Sequence, residues 1–299
     1  MTQYQSGILA PIPAHAEYLY FDLRPDISHQ RLRTCLRQLA RICDGERVVL
    51  GIGLPLCEFF ACAIPGLKVF TISSDAEKST SNANAALWCW LRGDDRGQLF
   101  ELQHQLLQAS SPCFSLTAQI PAFCYRGDRD LTGYEDGTEN PTDEDALRTA
   151  FLQHTEANFD GSSFVVTQQW QHRFKVFDAM SRTMQDHTIG RRRDDNEELD
   201  DAPASAHVKR TAQEDFEPEA FVLRRSMPWS ANGEAGLMFA AFATSFAAFE
   251  AQYRRMVGQE DGIVDALFTI SQPLNTHYFW CPPSKSGQLK LGALFNTEE

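Results

Sequence analysis

Residues 17–43, EYLYFDLRPDISHQRLRTCLRQLARIC, read as a strand followed at once by an amphipathic helix. The aromatic and aliphatic run at 17–23 suits an extended, buried segment. Ser28 then stands where a helix N-cap belongs, and Leu32, Cys35, Leu36, Leu39, Ala40 and Cys43 recur at helical spacing. Working outward, apolar runs at 47–53 and 67–73 read as strands, 84–108 as a long helical region interrupted near Gly93 and Gly97, and 115–125 as a closing strand. The order strand, helix, strand, strand, helix, strand is that of a ferredoxin-like unit, an antiparallel sheet with helices on one face. The second half repeats it: a strand at 163–170, a helix at 174–181, strands at 221–226 and 236–243, a helix placing Phe246, Phe249, Tyr253 and Met256 on one face, a second helix at 263–270, and a last strand at 277–281. The expected class is α+β, with two ferredoxin-like domains of antiparallel sheet and peripheral helices, 1–130 and 131–299.

Composition removes several classes of function. At 299 residues with 43% hydrophobic and 22% charged side chains, the chain has length enough for a large core without disulfide staples. Its 27 basic against 40 acidic residues leave a net charge of −13, which repels nucleic-acid phosphates and anionic lipid, so neither is an expected partner. The most apolar uncharged run, 235–249, is shorter than the ~20 residues a membrane helix needs. The opening residues lack a basic start followed by an apolar stretch, so a cytoplasmic location is expected. Eight cysteines lie scattered without metal or redox spacing and read as reduced core residues.

Familiar motifs are mostly excluded. Gly51 and Gly53 form a GxG whose sixth position is Leu56, not glycine, and no Walker lysine, HExxH or GxSxG occurs. The acidic stretch beginning at Asp136 has Pro141 where a calcium loop needs glycine. What remains is GYEDGTENP, 133–141, a tight turn holding Asp136 beside a permissive Gly137 and ahead of a fixed Pro141. On spacing alone, such an aspartate is more often a turn former than a catalyst. His207, in SAHVKR, would by itself be a surface or core histidine. In FVLRRSMP, Arg224 and Arg225 fall in a strand-like run, so one of them must face inward or toward a ligand, with Ser226 on the face of Arg224. The segment 189–205 sets Arg191, Arg192 and Arg193 against a run of acids and reads mainly as a solvated loop.

Taken in order, GYEDGTENP, IGRRRDDNEELDDAPASAHVKR and VLRRSMPWSANGEAGLMFAAF resemble the dye-decolorising peroxidases, in particular the cytoplasmic bacterial type, and the resemblance extends from QSGIL near the start to HYFWCPP near the end. It implies two ferredoxin-like domains of the dimeric α+β barrel type, with haem b (iron protoporphyrin IX) held noncovalently in the C-terminal one. His207 then matches the proximal iron ligand, Asp136 the distal carboxylate, Arg224 the distal arginine and Ser226 its neighbour. Leu237 and Phe239 match apolar residues over the distal face, Gly190 and Arg191 the loop at the haem edge, and Asp265 the acid bonded to the proximal histidine. The implied activity is reduction of hydrogen peroxide with oxidation of dyes or other aromatic one-electron donors, in a homo-oligomer. A carboxylate relay stays basic in mild acid, where an imidazole is already protonated, so an acidic optimum is expected. Two other classes stay open: a haem-handling protein that stores, transfers or strips iron from porphyrin, with incidental peroxidase activity, and a haem-free binding module.

Overall fold

The computed structural model describes residues 3–72, 81–82 and 84–296. Strand β1 (His15–Leu23) leads into α1 (His29–Ile42), where the Ser28 hydroxyl accepts the Arg31 N–H and caps the first turn. Next come β2 (Val48–Ile52), the short α2 (Leu54–Phe60), the two-residue β3 (Ser81–Asn82), β4 (Leu87–Gly93), α3 (Arg96–Ser110) and β5 (Phe114–Phe123). The second half comprises α4 (Asp143–Ala150), β6 (Ser163–His172), α5 (Phe174–Ala179), α6 (Arg182–Ile189), α7 (His207–Thr211), β7 (Leu223–Arg224), β8 (Met227–Ala231), β9 (Glu234–Ala243), α8 (Ala247–Met256), α9 (Leu267–Ile270) and β10 (Ser271–Cys281).

The strands form one continuous path, β2-β4-β1-β5-β8-β9-β6-β10, and a β10–β2 bridge at Trp280 and Ile52 closes it. Within each half the spatial order is second, third, first and fourth strand, the ferredoxin-like order. The circuit's other junction between halves is a single bridge, Ala122 to Trp229, and outside the circuit the two-residue β3 pairs in parallel with β10 at Asn275 and Thr276. Gln5 reinforces the closure, its side-chain amide donating to Leu50 O and Pro282 O and accepting the Leu50 N–H. Side chains alternate between two cores. Tyr18, Tyr20, Trp88, Trp90, Phe242 and Phe279 fill the inside of the circuit, and Leu19, Phe21, Leu50, Leu91, Val166 and Trp280 pack outward beneath the helices.

Four sequence expectations change. The strand read at 221–226 shrinks to β7, off the circuit, and the second strand of the second half is β8. The third strand of the first half is β4, not 67–73: residues 67–72 form no strand, and Ser73 lies outside the described residues. The region read as a helix from 84 begins with that strand instead, and its helix starts only at Arg96, capped by Asp95. Leu87 to Arg92 are all buried because both faces of β4 are covered, which erases the alternation that marks a half-exposed strand. The helix expected over 263–270 shrinks to α9, since the Val264–Val257 bridge and the Asp265 turn occupy its first half. Among the described residues no helix is long and apolar enough to cross a membrane, and all eight cysteines are free.

Candidate functional site

The motif 133–141 acts first on backbone geometry. Gly137 has φ +83°, and a Cβ there would sit 2.7 Å from the Asn140 side-chain amide. Without one, the chain turns back far enough for Asn140 to accept the Arg224 N–H at 2.7 Å and donate to Arg224 O at 3.1 Å. The turn therefore fixes Arg224 at the end of β7, opposite Ala241 of β9, and brings its Nη1 to 3.5 Å from Asp136 Oδ1. Each of the two side chains is about one-fifth exposed. Arg225 points the other way, donating to Ile8 O and Leu9 O. Neither arginine joins the acidic loop, whose carboxylates pair with Arg182, Arg191, Arg192 and Lys209.

His207 opens α7, and several contacts hold that short helix in place. The Arg210 guanidinium grips Asp261 through two 2.7 Å bonds and donates to Arg255 O at the end of α8. That fork also holds the Asp261 carboxyl below its ordinary range. Ala266 N donates to Ser205 O just before the helix. Gly190 has φ +96°, and a Cβ there would meet the Val208 side chain at 2.2 Å, so only glycine lets the 190–191 loop lie against α7. The imidazole Nδ1 lies 2.8 Å from Oδ2 of Asp265, a fully buried carboxylate whose Oδ1 accepts the Leu267 N–H at 2.8 Å. A carboxylate offers only acceptors, so Nδ1 carries the proton and Nε2 keeps the ring's lone pair.

His207, Asp136 and Arg224 line one cleft of about 910 Å³. Leu237 and Phe239 of β9, with Ile189, Phe249, Met256 and Leu267, give it an apolar lining. A contiguous space of about 1030 Å³ shares His207, Asp136 and Arg224 and reaches Arg191 and Lys209. Arg191 is bound to Glu139 at 2.7 Å and Glu198 at 3.4 Å. Ser226 is not among the residues lining the cleft, and its buried hydroxyl has no partner among the described residues. Arg224 Nε and the Tyr253 hydroxyl, both on cleft-lining residues, are buried and without a partner among the described residues. These two donors on the cleft wall are left for a guest to satisfy.

Sequence reading missed a second histidine–carboxylate pair on the cleft wall. His172, at the end of β6, contacts Asp130 through Nε2 at 2.7 Å and Ser271 Oγ through Nδ1 at 2.9 Å, and all three residues line the cleft. Burial drives the Asp130 carboxyl up, but the His172 ring and the Thr132 donors outweigh it and leave it below its ordinary range. The partners stand 42 residues apart, so no local spacing announces the pair. Tyr134, within the motif, is buried on the same wall and donates its hydroxyl to Asp186. Burial, and then that carboxylate, push its ionisation well above the ordinary phenol range.

Known proteins share this arrangement of elements. A dye-decolorizing peroxidase of Mycolicibacterium paratuberculosis is 28% identical over 233 residues, covering 69% of this chain and 66% of that one, so the match spans just under two thirds of the relative. A Shewanella oneidensis protein assigned to the Dyp-type peroxidases superposes with a TM-score of 0.88 at 25% identity, covering 100% of both chains. A variant of DypB from Rhodococcus jostii RHA1, solved in complex with heme, gives a TM-score of 0.83 at 25% identity over 95% of this chain and 97% of that one. The family model for the C-terminal region of Dyp-type peroxidases matches residues 127–286, which hold both the 133–141 turn and His207. That match spans more than half of the sequence, and the chain belongs to the Dyp-type peroxidase family.

Proposed function

We propose that this protein is a haem peroxidase that reduces hydrogen peroxide and oxidises dyes or other aromatic one-electron donors, with haem b bound in the cleft. One observation carries the reading: the Asp265–His207 bond leaves the Nε2 lone pair available in the same cleft as the Arg224–Asp136 pair. Among the described residues no group of three His, Cys, Asp or Glu side chains is placed to hold a metal ion, and an iron held by His207 would need a porphyrin to supply its remaining ligands. The apolar lining suits the macrocycle's faces. Arg191, next to Gly190, lines the adjoining space, where it would answer a propionate by sharing its charge with Glu139 and Glu198.

Haem bound there supplies the iron that takes electrons from donors and delivers them to peroxide. The protein's part is electrostatic and acid–base. Asp265 makes His207 a more electron-rich donor and fixes its ring. With peroxide in the cleft, Asp136 would take a proton from one peroxide oxygen and return it to the departing one. Arg224 holds fixed positive charge, with an uncommitted Nε–H, where negative charge grows on the leaving oxygen. Leu237 and Phe239 would keep bulk water from the group bound there, and the Ser226 hydroxyl, set back from the lining and without a partner among the described residues, would be free to hold a water beside Arg224.

The same proposal places the division between domains at 130/131, supported by the contiguity of β2-β4-β1-β5 and of β8-β9-β6-β10. A cytoplasmic location is supported by the free cysteines. Homo-oligomeric assembly is supported by the exposed Phe100 and Met184, while the closed strand circuit takes away the open sheet edges that would otherwise argue for it. The test is an absorption spectrum of purified protein before and after hydrogen peroxide. Peroxide should change the haem spectrum within the mixing time, and an added dye should restore it. Protein that stays colourless when supplied with haem would overturn the proposal, and haem that peroxide leaves unchanged would favour the haem-handling reading.

A further inference from the structure

A second recess, about 1000 Å³ in volume, backs onto the cleft, with Thr132 lining both. Arg126, Arg129, Arg182 and Arg193 line it together with Tyr125 and one acid, Asp194. Two of these charges are neutralised: Arg129 by Glu135 at 2.7 Å and Arg182 by Asp194 at 3.3 Å. Among the described residues Arg126 and Arg193 face no carboxylate. Arg126 lies over the Tyr125 ring at 5.1 Å, and Arg193 lies over the Tyr134 ring at 5.7 Å while donating to Thr132 O. In a chain of net charge −13, two uncompensated guanidinium groups beside two phenol rings form a local inversion of the field. Planar forks bind carboxylate or sulfonate, and the faces of rings and guanidinium groups take an aromatic body.

We infer that this recess docks an anionic aromatic reductant, a sulfonated or carboxylated ring, and that Tyr134 conducts its electron to the cleft. The inference rests on the peroxidase reading, because the oxidant is the haem oxidised by peroxide. Tyr134 stands between the two spaces, lining the cleft while its ring lies under Arg193 of the recess. It passes one electron inward, and its phenolic proton crosses the existing bond to Asp186. The docked donor then returns one electron to the tyrosyl radical and Asp186 returns the proton, leaving the donor oxidised by one electron and the tyrosine unchanged.

The test titrates the purified holoprotein calorimetrically with naphthalene-2-sulfonate, with 2-naphthol as the neutral ring and inorganic sulfate as the bare anion. Arg126→Gln and Arg193→Gln should each weaken the sulfonate about tenfold, a loss of ~1.4 kcal/mol, with haem content unchanged. Arg126 is exposed, so its replacement cannot fail merely by unfolding the chain. Affinities within twofold of the parent in both variants would overturn the docking site, as would sulfate competing as strongly as the sulfonate. Tyr134→Phe should leave naphthalene-2-sulfonate binding intact while cutting the oxidation of its oxidisable relative 6-hydroxynaphthalene-2-sulfonate at least tenfold more than that of 2-naphthol, and equal losses for both donors would overturn the conducting role. Should the protein fail to take up haem, the peroxidase reading falls, yet the titration still reports on the recess.

Discussion

Replacing Asp265 by Asn tests how the buried carboxylate sets the histidine's protonation. The native carboxylate is fully buried and accepts two bonds, from His207 Nδ1 and from Leu267 N, both at 2.8 Å. An asparagine has one oxygen and one amide nitrogen in those positions. The Leu267 N–H is fixed in the backbone and can only donate, so the oxygen stays with it and the amide faces His207. An amide N–H can satisfy His207 only if Nδ1 becomes the acceptor, which moves the ring proton to Nε2 and blocks the lone pair required for iron. Loss of such a partner behind a metal-ligating histidine costs about 10- to 100-fold in affinity, or ~1.4–2.7 kcal/mol. The assay is haem titration of the haem-free protein followed in the Soret band, with circular dichroism confirming the fold. The expected outcome is weaker binding by that factor and a spectrum lacking strong axial nitrogen ligation. Affinity within threefold of the parent, with an unchanged spectrum, would refute the tautomer argument.

Asp136→Asn and Arg224→Gln should each keep haem content but slow the peroxide-driven spectral change, by about 10²- to 10³-fold, measured by stopped flow. Since the two groups lie 3.5 Å apart, the double variant should lose less than the product of the single losses. A separate prediction concerns acid stability. His277, inside the strand circuit against Tyr20 and Phe279, is 7% exposed, and burial lowers its pKa to about 4. The unfolded chain therefore binds a proton below about pH 6.5 that the folded one refuses until about pH 4, so this group's stability contribution is complete above pH 6.5 and declines as the pH falls toward 4. Urea unfolding at pH 7 and 4.5 should show a loss of about 2–3 kcal/mol from this residue, removed in His277→Phe; an equal pH slope in that variant would rule it out.

The sequence was legible where one element carried one pattern. The helix after Ser28 shows its apolar stripe and its cap in consecutive residues, and β6 and β10 sit near where they were expected. Strand β4 was hidden because Leu87 to Arg92 are buried on both faces and the run LWCWL carries no period to distinguish strand from helix. The closing of both halves into one strand circuit was also invisible, since it depends on the Trp280–Ile52 and Ala122–Trp229 bridges between distant segments. At the site, the residues taken from the family resemblance fall around one cleft, apart from Ser226, Arg191, Gly190 and Asp265, which stand behind or beside it. What the resemblance did not supply was the support: the Asn140 clamp on Arg224, the Arg210–Asp261 fork beneath α7 and the Asp130–His172–Ser271 chain. Each joins residues tens of positions apart, and a pairing at that range is a property of the fold, not of local spacing.

The central claim is that the Nε2 atom of His207 is the protein's bond to haem iron. His207→Ala, purified and supplied with haem, should lose the Soret band of the parent protein, and free imidazole should restore ligation and part of the peroxide response. An unaltered haem spectrum in that variant, indifferent to imidazole, would contradict it.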